Sequence, residues 1–294
     1  MGAVAMGGLK IPLVLAGTLL VLAGTACGER TEPTGALVQV YPVTAQGAGD
    51  RPAVVKAVPR RIVPLGAGPR QLLRALGLQR RTIAVNDSLV GLPLVGEIRR
   101  AKPDLIIASS DTDPLDLARA RAATHAAVYV EPSSSLDDVV EATGDIGLLT
   151  NQPIAARHVT AAIEKARREV AARLAGLPTV TAFVDTGDFS TVPSRSLLGD
   201  LVHEAHGSSV AGPSPEPGPF SLRRLGQLNP AVYLATSASG RTLAGLRGQT
   251  GTKRLKAVKD GRFGLVSTND AVPGPAVGRA LVEVARILHP DAFR

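Results

Sequence analysis

The chain has 294 residues, a formal net charge of +8 and 45% hydrophobic residues, which is the composition of a globular protein. Aromatic residues make up only 3%, tryptophan is absent and the charges are scattered, so we expect no nucleic-acid partner. The single cysteine excludes an internal disulfide, so the fold must be held by its own core.

The first 26 residues have the pattern of a secretory signal peptide. A charged start is followed by an apolar stretch, Ile11 to Ala23, which is too short to span a bilayer. Small residues then precede Cys27, which resembles the lipid acceptor of a bacterial lipoprotein signal, although Gly24 stands where such signals prefer leucine. An ordinary signal peptide with a chance cysteine is the alternative. We expect lipidation at Cys27 and an extracytoplasmic protein anchored to the bacterial cell membrane.

Residues 27–57 are rich in glycine, threonine and proline and are expected to form a tether, with one edge strand at Ala36 to Val43. In residues 58–151, short apolar strands alternate with helices, which predicts a lobe with a mainly parallel sheet covered on both faces. Its expected strands are Arg61 to Leu65, Thr82 to Val85, Leu105 to Ala108 and Ala127 to Val130. Its expected helices are Arg70 to Leu76, Leu115 to Ala123 and one from Ser135 to about Leu149.

A long helix is predicted next. From Pro153 to Leu174 the chain contains no glycine and no further proline, and apolar residues recur at helical spacing. At 1.5 Å per residue such a helix is about 30 Å long, the width of a small domain. We assign residues 152–177 to a helix that bridges two lobes.

A second series of strands and helices fills residues 178–294. The expected strands are Val180 to Val184, Val232 to Thr236 and Gly264 to Ser267, and the expected helices are Ser196 to His206 and Pro275 to Leu288. Gly212 to Pro219 must be a loop, because proline and glycine dominate it.

The two halves also echo each other. Lys102-Pro103 and Asn229-Pro230 each lead into a hydrophobic strand, which favours two related lobes over coincidence. The predicted fold class is therefore α/β, with two lobes, each a mainly parallel sheet flanked by helices, bridged by one long rigid helix.

Several segments together resemble the iron-siderophore/cobalamin group of ABC-importer substrate-binding proteins (class III, with a helical backbone). They are Pro59 to Val63, Leu72 to Gly77, Lys102 to Ile107, Leu197 to Leu201, Ser221-Leu222, Leu228 to Pro230 and His289-Pro290. The resemblance implies two α/β lobes, a bridging helix, and a ligand held in a shallow cleft between the lobes. It also implies a lipid-anchored receptor that delivers its ligand to a membrane permease.

The chain departs from the family at the permease-docking positions. The family carries a glutamate on each lobe that meets basic residues of the permease. Here the first position falls at Gly96, and the adjacent Glu97 could serve after a small shift in register. The second position falls at Arg223, whose charge is reversed. Since like charges repel, Arg223 cannot serve as the family glutamate does. An orphan adaptor or sensor lipoprotein that has lost docking is therefore an alternative to a transport receptor.

Ligands of such sheets bind beyond the carboxyl ends of the strands. Arg70 and Arg195 are the strongest candidates, because a planar guanidinium binds carboxylate, catecholate or phosphate oxygens in a bidentate manner. We expect these two to face each other across the cleft. For each candidate, a turn residue that binds only the backbone is the alternative. The candidate ligand-binding residues are Arg70, Asn86, Asp87, Ser110, Asp111, Asp188, Phe189, Arg195, Thr236, Arg241 and Asn269, and the same rule also selects Glu131 and Asp185.

The sequence gives little support for an enzyme. His203 and His206 flank Glu204 on a predicted helix, but no third metal ligand is evident. No GxSxG motif supports a serine hydrolase. We therefore expect no catalytic residue, no bound metal and no cofactor. The expected partner of this monomer is an anionic ferric siderophore or similar chelate, together with an ABC permease; cobalamin or haem is the alternative ligand, although few aromatic residues are available to sandwich a macrocycle.

Overall fold

A computed structural model describes residues 40–213 and 219–294. The predicted signal peptide, Cys27, the first part of the tether and the centre of the Gly212 to Pro219 loop lie outside these residues. Among the residues described, no helix combines the length and apolarity that crossing a membrane requires.

The first lobe is built on a three-stranded parallel sheet. Its strand order is β3-β4-β5, and each strand is buried on both faces except at Ala127. These strands are β3 (Ile62–Leu65), β4 (Leu105–Ala108) and β5 (Ala127–Val130), and the helices around them are α1 (Ala67–Ala75), α2 (Leu92–Ala101), α3 (Pro114–Thr124) and α4 (Leu136–Leu149). Continuous burial explains why these strands are runs of apolar residues and do not alternate with polar ones.

Two features of the first lobe differ from the sequence prediction. Residues assigned to the tether form an antiparallel hairpin, β1 (Val43–Ala45) and β2 (Ala53–Val55), which buries one face against the lobe. Of the expected edge strand, Ala36 to Val43, the structure describes only residues 40–43, and among these only Val43 lies in a strand. The predicted strand Thr82 to Val85 is only a single bridge to Ile62, because this partly exposed segment leaves the sheet after one pairing.

The long predicted helix is present as α5 (Pro153–Leu174), with proline at its first position. It packs along α4 of the first lobe and α10 (Val277–Leu288) of the second. Helix α4 shares the bridging, because its first turn, with Leu136 and Val139, belongs to the core of the second lobe. Its last turn, with Ile146 and Leu149, belongs to the core of the first.

The second lobe is built on a four-stranded parallel sheet, of order β7-β6-β8-β9. Its strands are β6 (Val180–Asp185), β7 (Gly207–Ser209), β8 (Val232–Thr236) and β9 (Phe263–Val266). Besides α10, its helices are α6 (Leu197–Glu204), α7 (Leu222–Leu228), α8 (Leu243–Gly248) and α9 (Lys256–Lys259). The two-lobed α/β fold predicted from the sequence, with a separate parallel sheet in each lobe, is therefore confirmed.

The internal echo seen in the sequence has a structural counterpart. Helix α2 ends at Lys102 and helix α7 ends at Asn229, and both residues adopt a left-handed conformation, with φ of 45° and 43°. A proline follows each, after which β4 and β8 begin beside β3 and β6 respectively. A left-handed residue followed by proline ends a helix sharply. The same helix ending therefore precedes equivalent strands, β4 and β8, in the two lobes.

Candidate ligand-binding cleft

The carboxyl ends of the strands of both lobes meet at a seam between the lobes. The side-chain amide of Gln71, on helix α1 that follows β3, donates to the carbonyl of Asn269, beyond β9, at 2.9 Å. Nearby, Gly68 approaches the carbonyl of Pro273 so closely that a Cβ would lie 2.2 Å from the oxygen. Only glycine permits this contact without displacing one lobe. The strand ends therefore form a candidate cleft, as the sequence predicted.

On the first-lobe side, Arg70 forms an ion pair with Asp87. The same carboxylate accepts the backbone N–H of Gly66 at 2.8 Å, which fixes the turn between β3 and α1. Asn86 binds only within its own turn, where its side-chain oxygen accepts from the hydroxyl of Ser88 at 2.6 Å. Arg70 is therefore already neutralised by a local partner, and 45% of its side chain remains exposed.

Hydroxyl groups fill the space beside this pair. Ser110 and Ser133 share a hydrogen bond of 2.5 Å between the ends of β4 and β5, and the hydroxyl of Ser109 donates to Asp111. A cavity of about 160 Å³ is lined here by residues that include Asp87, Ser109 and Asp111. Asp113 and Asp116 line the same cavity, so the first lobe presents carboxylate and hydroxyl oxygens here.

Glu131 is the unusual group of the first lobe. It directly follows β5 and is 1% exposed, and within the described chain neither carboxyl oxygen has a hydrogen-bond partner. One oxygen lies 3.3 Å from the point where a Cβ on Gly68 would stand, which places it at the seam. Burial raises the pKa of Glu131 to about 8. Since a charged carboxylate without partners is costly to bury, the protonated form is the one that fits this position.

The second lobe has a charged group held in a fixed place. Asp185, at the end of β6, is fully buried and accepts three hydrogen bonds. They come from the hydroxyl of Tyr233 at 2.6 Å, the Nε of Arg241 at 2.8 Å and the N–H of Gly187 at 2.8 Å. Burial, and secondly the bond to Asp185, raises the pKa of Tyr233, so its hydroxyl stays a donor. Three donors allow the carboxylate to remain charged and to anchor Arg241.

Arg241 also stacks on an aromatic ring. Its guanidinium carbon lies 4.0 Å from the centre of the Phe189 ring, and its side chain is 20% exposed. Gly187, Asp188 and Phe189 have φ of 135°, 47° and 59°, a run of left-handed residues that turns the ring toward the arginine. Among the residues described, the two terminal nitrogens of Arg241 have no partner. They are the donors that this site can offer to an anion.

Two further strand ends are joined by hydroxyl groups. Ser237 and Thr268, which follow β8 and β9, share a 3.1 Å hydrogen bond, and each also accepts a backbone N–H of the other segment. Thr236 is buried, and its carbonyl accepts from Ser239. Asn269 contributes its carbonyl to Gln71, so its role at the seam is made through the backbone.

Arg195 is placed differently from Arg241. It is exposed, directly precedes Ser196, the residue that caps α6, and has no hydrogen bond or ion pair with any described residue. The expected opposition of Arg70 and Arg195 across the cleft stays a prediction. The structure adds that one member of this pair, Arg70, already has an acidic partner.

The two docking positions lie on equivalent helices. Glu97 is on α2, half-buried, and forms an ion pair with Arg100. Arg223 is exposed on α7 and has no ion pair among the residues described. Gly96 and Arg223 precede the helix-ending residues Lys102 and Asn229 by the same number of positions, so the internal repeat relates them.

The structure gives no support for a metal site in the part of the chain it describes, where no group of three His, Cys, Asp or Glu side chains could hold an ion. A cavity of about 770 Å³ beside His203 and His206 lies away from the seam. There Glu204 is engaged in a two-pronged ion pair with Arg167, at 2.6 and 3.0 Å.

Two α/β lobes bridged by a long helix, with the strand ends facing a seam, define the fold of the class III substrate-binding proteins of ABC importers.

Relatives with known names agree with this fold. No family model matches the chain. A cobalamin-binding protein of Halobacterium salinarum is 24% identical over 192 residues, which are 58% of this chain and 51% of that protein. The chain thus spans about half the length of this relative. An uncharacterized ABC transporter substrate-binding lipoprotein of Bacillus subtilis, YvrC, is 21% identical over 98% of both chains.

Solved structures share the fold at low identity. The nickel–histidine complex of CeuE from Helicobacter pylori has a TM-score of 0.74 and 14% identity, covering 85% of this chain and 89% of that one. A protein of an Fe³⁺-hydroxamate transport system from Saccharomonospora viridis has a TM-score of 0.67 and 17% identity, covering 86% and 99%. The resemblance to the iron-siderophore/cobalamin group, which the sequence predicted, is confirmed by these relatives and neighbours.

Proposed function

We propose that this chain is a lipid-anchored extracytoplasmic receptor of an ABC importer that binds an anionic ferric siderophore or a related chelate between its lobes. The observation that carries the proposal is Arg241. This guanidinium is oriented by Asp185, supported by the ring of Phe189 and left with free terminal donors at the end of a sheet. Carboxylate, hydroxamate and catecholate oxygens are suited to such a group.

The names of the relatives support a receptor more than an enzyme. They describe binding proteins and transport proteins, and the solved neighbours hold or are named for metal complexes. The name of the Bacillus subtilis relative supports the predicted lipidation of Cys27. Transport through a permease is the weaker part of the proposal, because Arg223 replaces the expected acidic docking residue.

Cobalamin is the second candidate ligand, favoured by the name of the Halobacterium relative. A neutral macrocycle would gain little from Arg241, whereas an anionic chelate would gain a charge-assisted hydrogen bond. The ligand class can therefore be decided by how strongly binding depends on this one side chain.

The test is a thermal-shift panel of ferric hydroxamates, ferric catecholates, haem and cobalamin, followed by titration of the best ligand into Arg241→Gln and Arg241→Lys. One charge-assisted contact is worth about 1.5–3 kcal/mol. Arg241→Gln should therefore weaken binding of a ferric chelate by roughly tenfold to a hundredfold. Arg241→Lys keeps the charge but loses the planar fork, so an intermediate loss is expected.

Arg157→Gln on the exposed face of α5 is the matched control and should leave affinity unchanged. Stabilisation by cobalamin or haem alone would overturn the proposed ligand class. Chelate binding that is unaffected in both Arg241 variants would show that the anion is held elsewhere, and Arg195→Ala would then be the next variant to titrate.

A further inference from the structure

A cluster of positive side chains occupies the end of the first lobe that lies opposite the cleft. We call this the basic end, formed by Arg60, Arg61, Arg80, Arg81, Arg99 and Lys102. The Nε of Arg61 donates to the carbonyls of Ala101 and Lys102, at 2.9 and 3.0 Å, which joins the start of β3 to the end of α2. The parallel bridge between Ile62 and Thr82 places Arg81 beside Arg61.

The charges of the basic end are not neutralised within the molecule. Five of the six side chains belong to exposed residues, and none of the six has an ion pair with a described residue. Arg100 is the neighbouring cation that does have one, with Glu97. The carboxylate of Asp104 is close, but it accepts the backbone N–H groups of Arg60 and Arg61, at 2.7 and 3.0 Å. Clustered positive charge without acidic partners is the footprint of an anionic binding surface.

The position of the basic end indicates which anionic surface it meets. Tyr41, one of the first residues that the structure describes, lies at the basic end. Its hydroxyl donates to the carbonyl of Leu149 at 3.3 Å. Arg81 donates to the carbonyl of the adjacent Thr150 at 3.1 Å. The residues between Cys27 and Tyr41 can span at most about 50 Å. If Cys27 carries a lipid, Tyr41 and the basic end lie within about this distance of the membrane.

We propose that the basic end binds the anionic phospholipid surface of the membrane and orients the anchored protein on it. This contact is separate from the cleft. It rests on the proposed lipid anchor at Cys27 and not on which ligand the cleft takes. Each Lys or Arg close to an anionic bilayer increases partitioning by about fivefold. The contact weakens as salt rises, because exposed charges are screened beyond roughly 8 Å at physiological ionic strength.

The test measures how strongly the full chain partitions onto lipid vesicles. The parent protein carries Cys27→Ser, so that it cannot be acylated. The vesicles are phosphatidylcholine, either pure or with roughly 30% phosphatidylglycerol to give a negative surface potential. The first variant adds Arg60→Gln, Arg80→Gln and Arg99→Gln. The matched control adds Lys253→Gln, Arg254→Gln and Lys259→Gln, three exposed residues of the second lobe, and has the same net charge. Neutral vesicles report the binding of the apolar N-terminal segment, which all forms share.

We expect the first variant to lose roughly tenfold to a hundredfold in partitioning onto the anionic vesicles, and the control less than threefold. Both should match the parent on neutral vesicles and in thermal midpoint. Equal losses in the two variants would show that net charge alone drives binding and would overturn the proposal. Unchanged partitioning of the first variant, or binding of the parent that does not respond to phosphatidylglycerol, would overturn it as well.

Discussion

The two lobes hold charge at the cleft in opposite ways. In the second lobe, the fully buried Asp185 fixes the cation of Arg241 and leaves its outer donors free. In the first lobe, the half-exposed Arg70 is neutralised by Asp87, and the buried carboxyl of Glu131 has no partner. Each sheet end thus carries one arginine–aspartate ion pair, but the pair of the second lobe is largely buried and held by further hydrogen bonds, whereas the pair of the first lobe is partly exposed.

Removing Asp185 should have the largest effect on stability. Asp185→Ala would leave the hydroxyl of Tyr233 and the guanidinium of Arg241 without their shared acceptor. Loss of one partner from a buried ion pair typically costs 3–5 kcal/mol, so we expect a loss of about this size in the free energy of unfolding, measured by urea denaturation.

A double variant sharpens this prediction. Because Arg241→Gln removes the uncompensated cation, adding it to Asp185→Ala should cost less than the sum of the two single losses. If the losses simply add, the two side chains do not act as a unit and the contrast between the lobes is not valid.

The next effect is a dependence of stability on pH that comes from Glu131. Its pKa is raised from 4.5 to about 8 in the folded state, so between these values the folded chain holds a proton that the unfolded chain has released. The stabilisation is therefore complete below about pH 4.5 and is lost as the pH rises through 8. Across this window the free energy of unfolding should fall by up to about 1.4 kcal/mol per pH unit.

Glu131→Gln keeps the shape and cannot ionise, so this part of the decline should disappear. The variant should be more stable than the parent at pH 9 and similar to it at pH 5, as judged by denaturation at each pH. Glu141→Gln, on the exposed side of α4, is the control and should decline as the parent does. A Glu131→Gln variant that follows the parent at every pH would mean that the carboxyl reaches solvent or finds a partner.

The fold could be predicted from the sequence wherever a local pattern decides it. The helix from Pro153 follows from 22 residues without an internal breaker, and β3, β4 and β5 follow from short apolar runs. The hairpin of β1 and β2 could not be predicted, since three-residue strands are stabilised by the lobe they pack on. The position of α4 in both cores likewise depends on contacts between distant segments.

The site could be predicted only in part, for a similar reason. The strand-end rule nominated Asp185, Asp188, Phe189 and Arg241, but not the hydrogen bond by which Asp185 orients the arginine. From the sequence alone, Tyr233 is predicted only as a buried residue of β8. The pairing register of β8 with β6 is what brings its hydroxyl to Asp185. Because pairing register is not encoded in the composition of a strand, the sequence could nominate Arg241 and Asp185 but not the contact between them.

The smallest expected effect concerns Arg70 and Asp87, and it tests whether Asp87 neutralises Arg70. A partly exposed ion pair contributes about 0.2–1 kcal/mol, so Asp87→Asn should lower the free energy of unfolding by no more than about 1 kcal/mol. The amide oxygen of asparagine can still accept from the N–H of Gly66. The change also releases Arg70 from its partner while leaving the arginine in place.

If Arg70 contacts the ligand only weakly because Asp87 neutralises it, Asp87→Asn should leave the affinity for the ferric chelate unchanged or raise it, and Arg70→Gln should lower it by less than threefold. Isothermal titration of the two variants beside Arg241→Gln gives the comparison directly. A tenfold or larger loss of affinity in Arg70→Gln would show that an arginine on each side of the seam contacts the ligand. That result would restore the sequence prediction of two arginines facing each other, and the charge of the cleft would then be shared by the lobes.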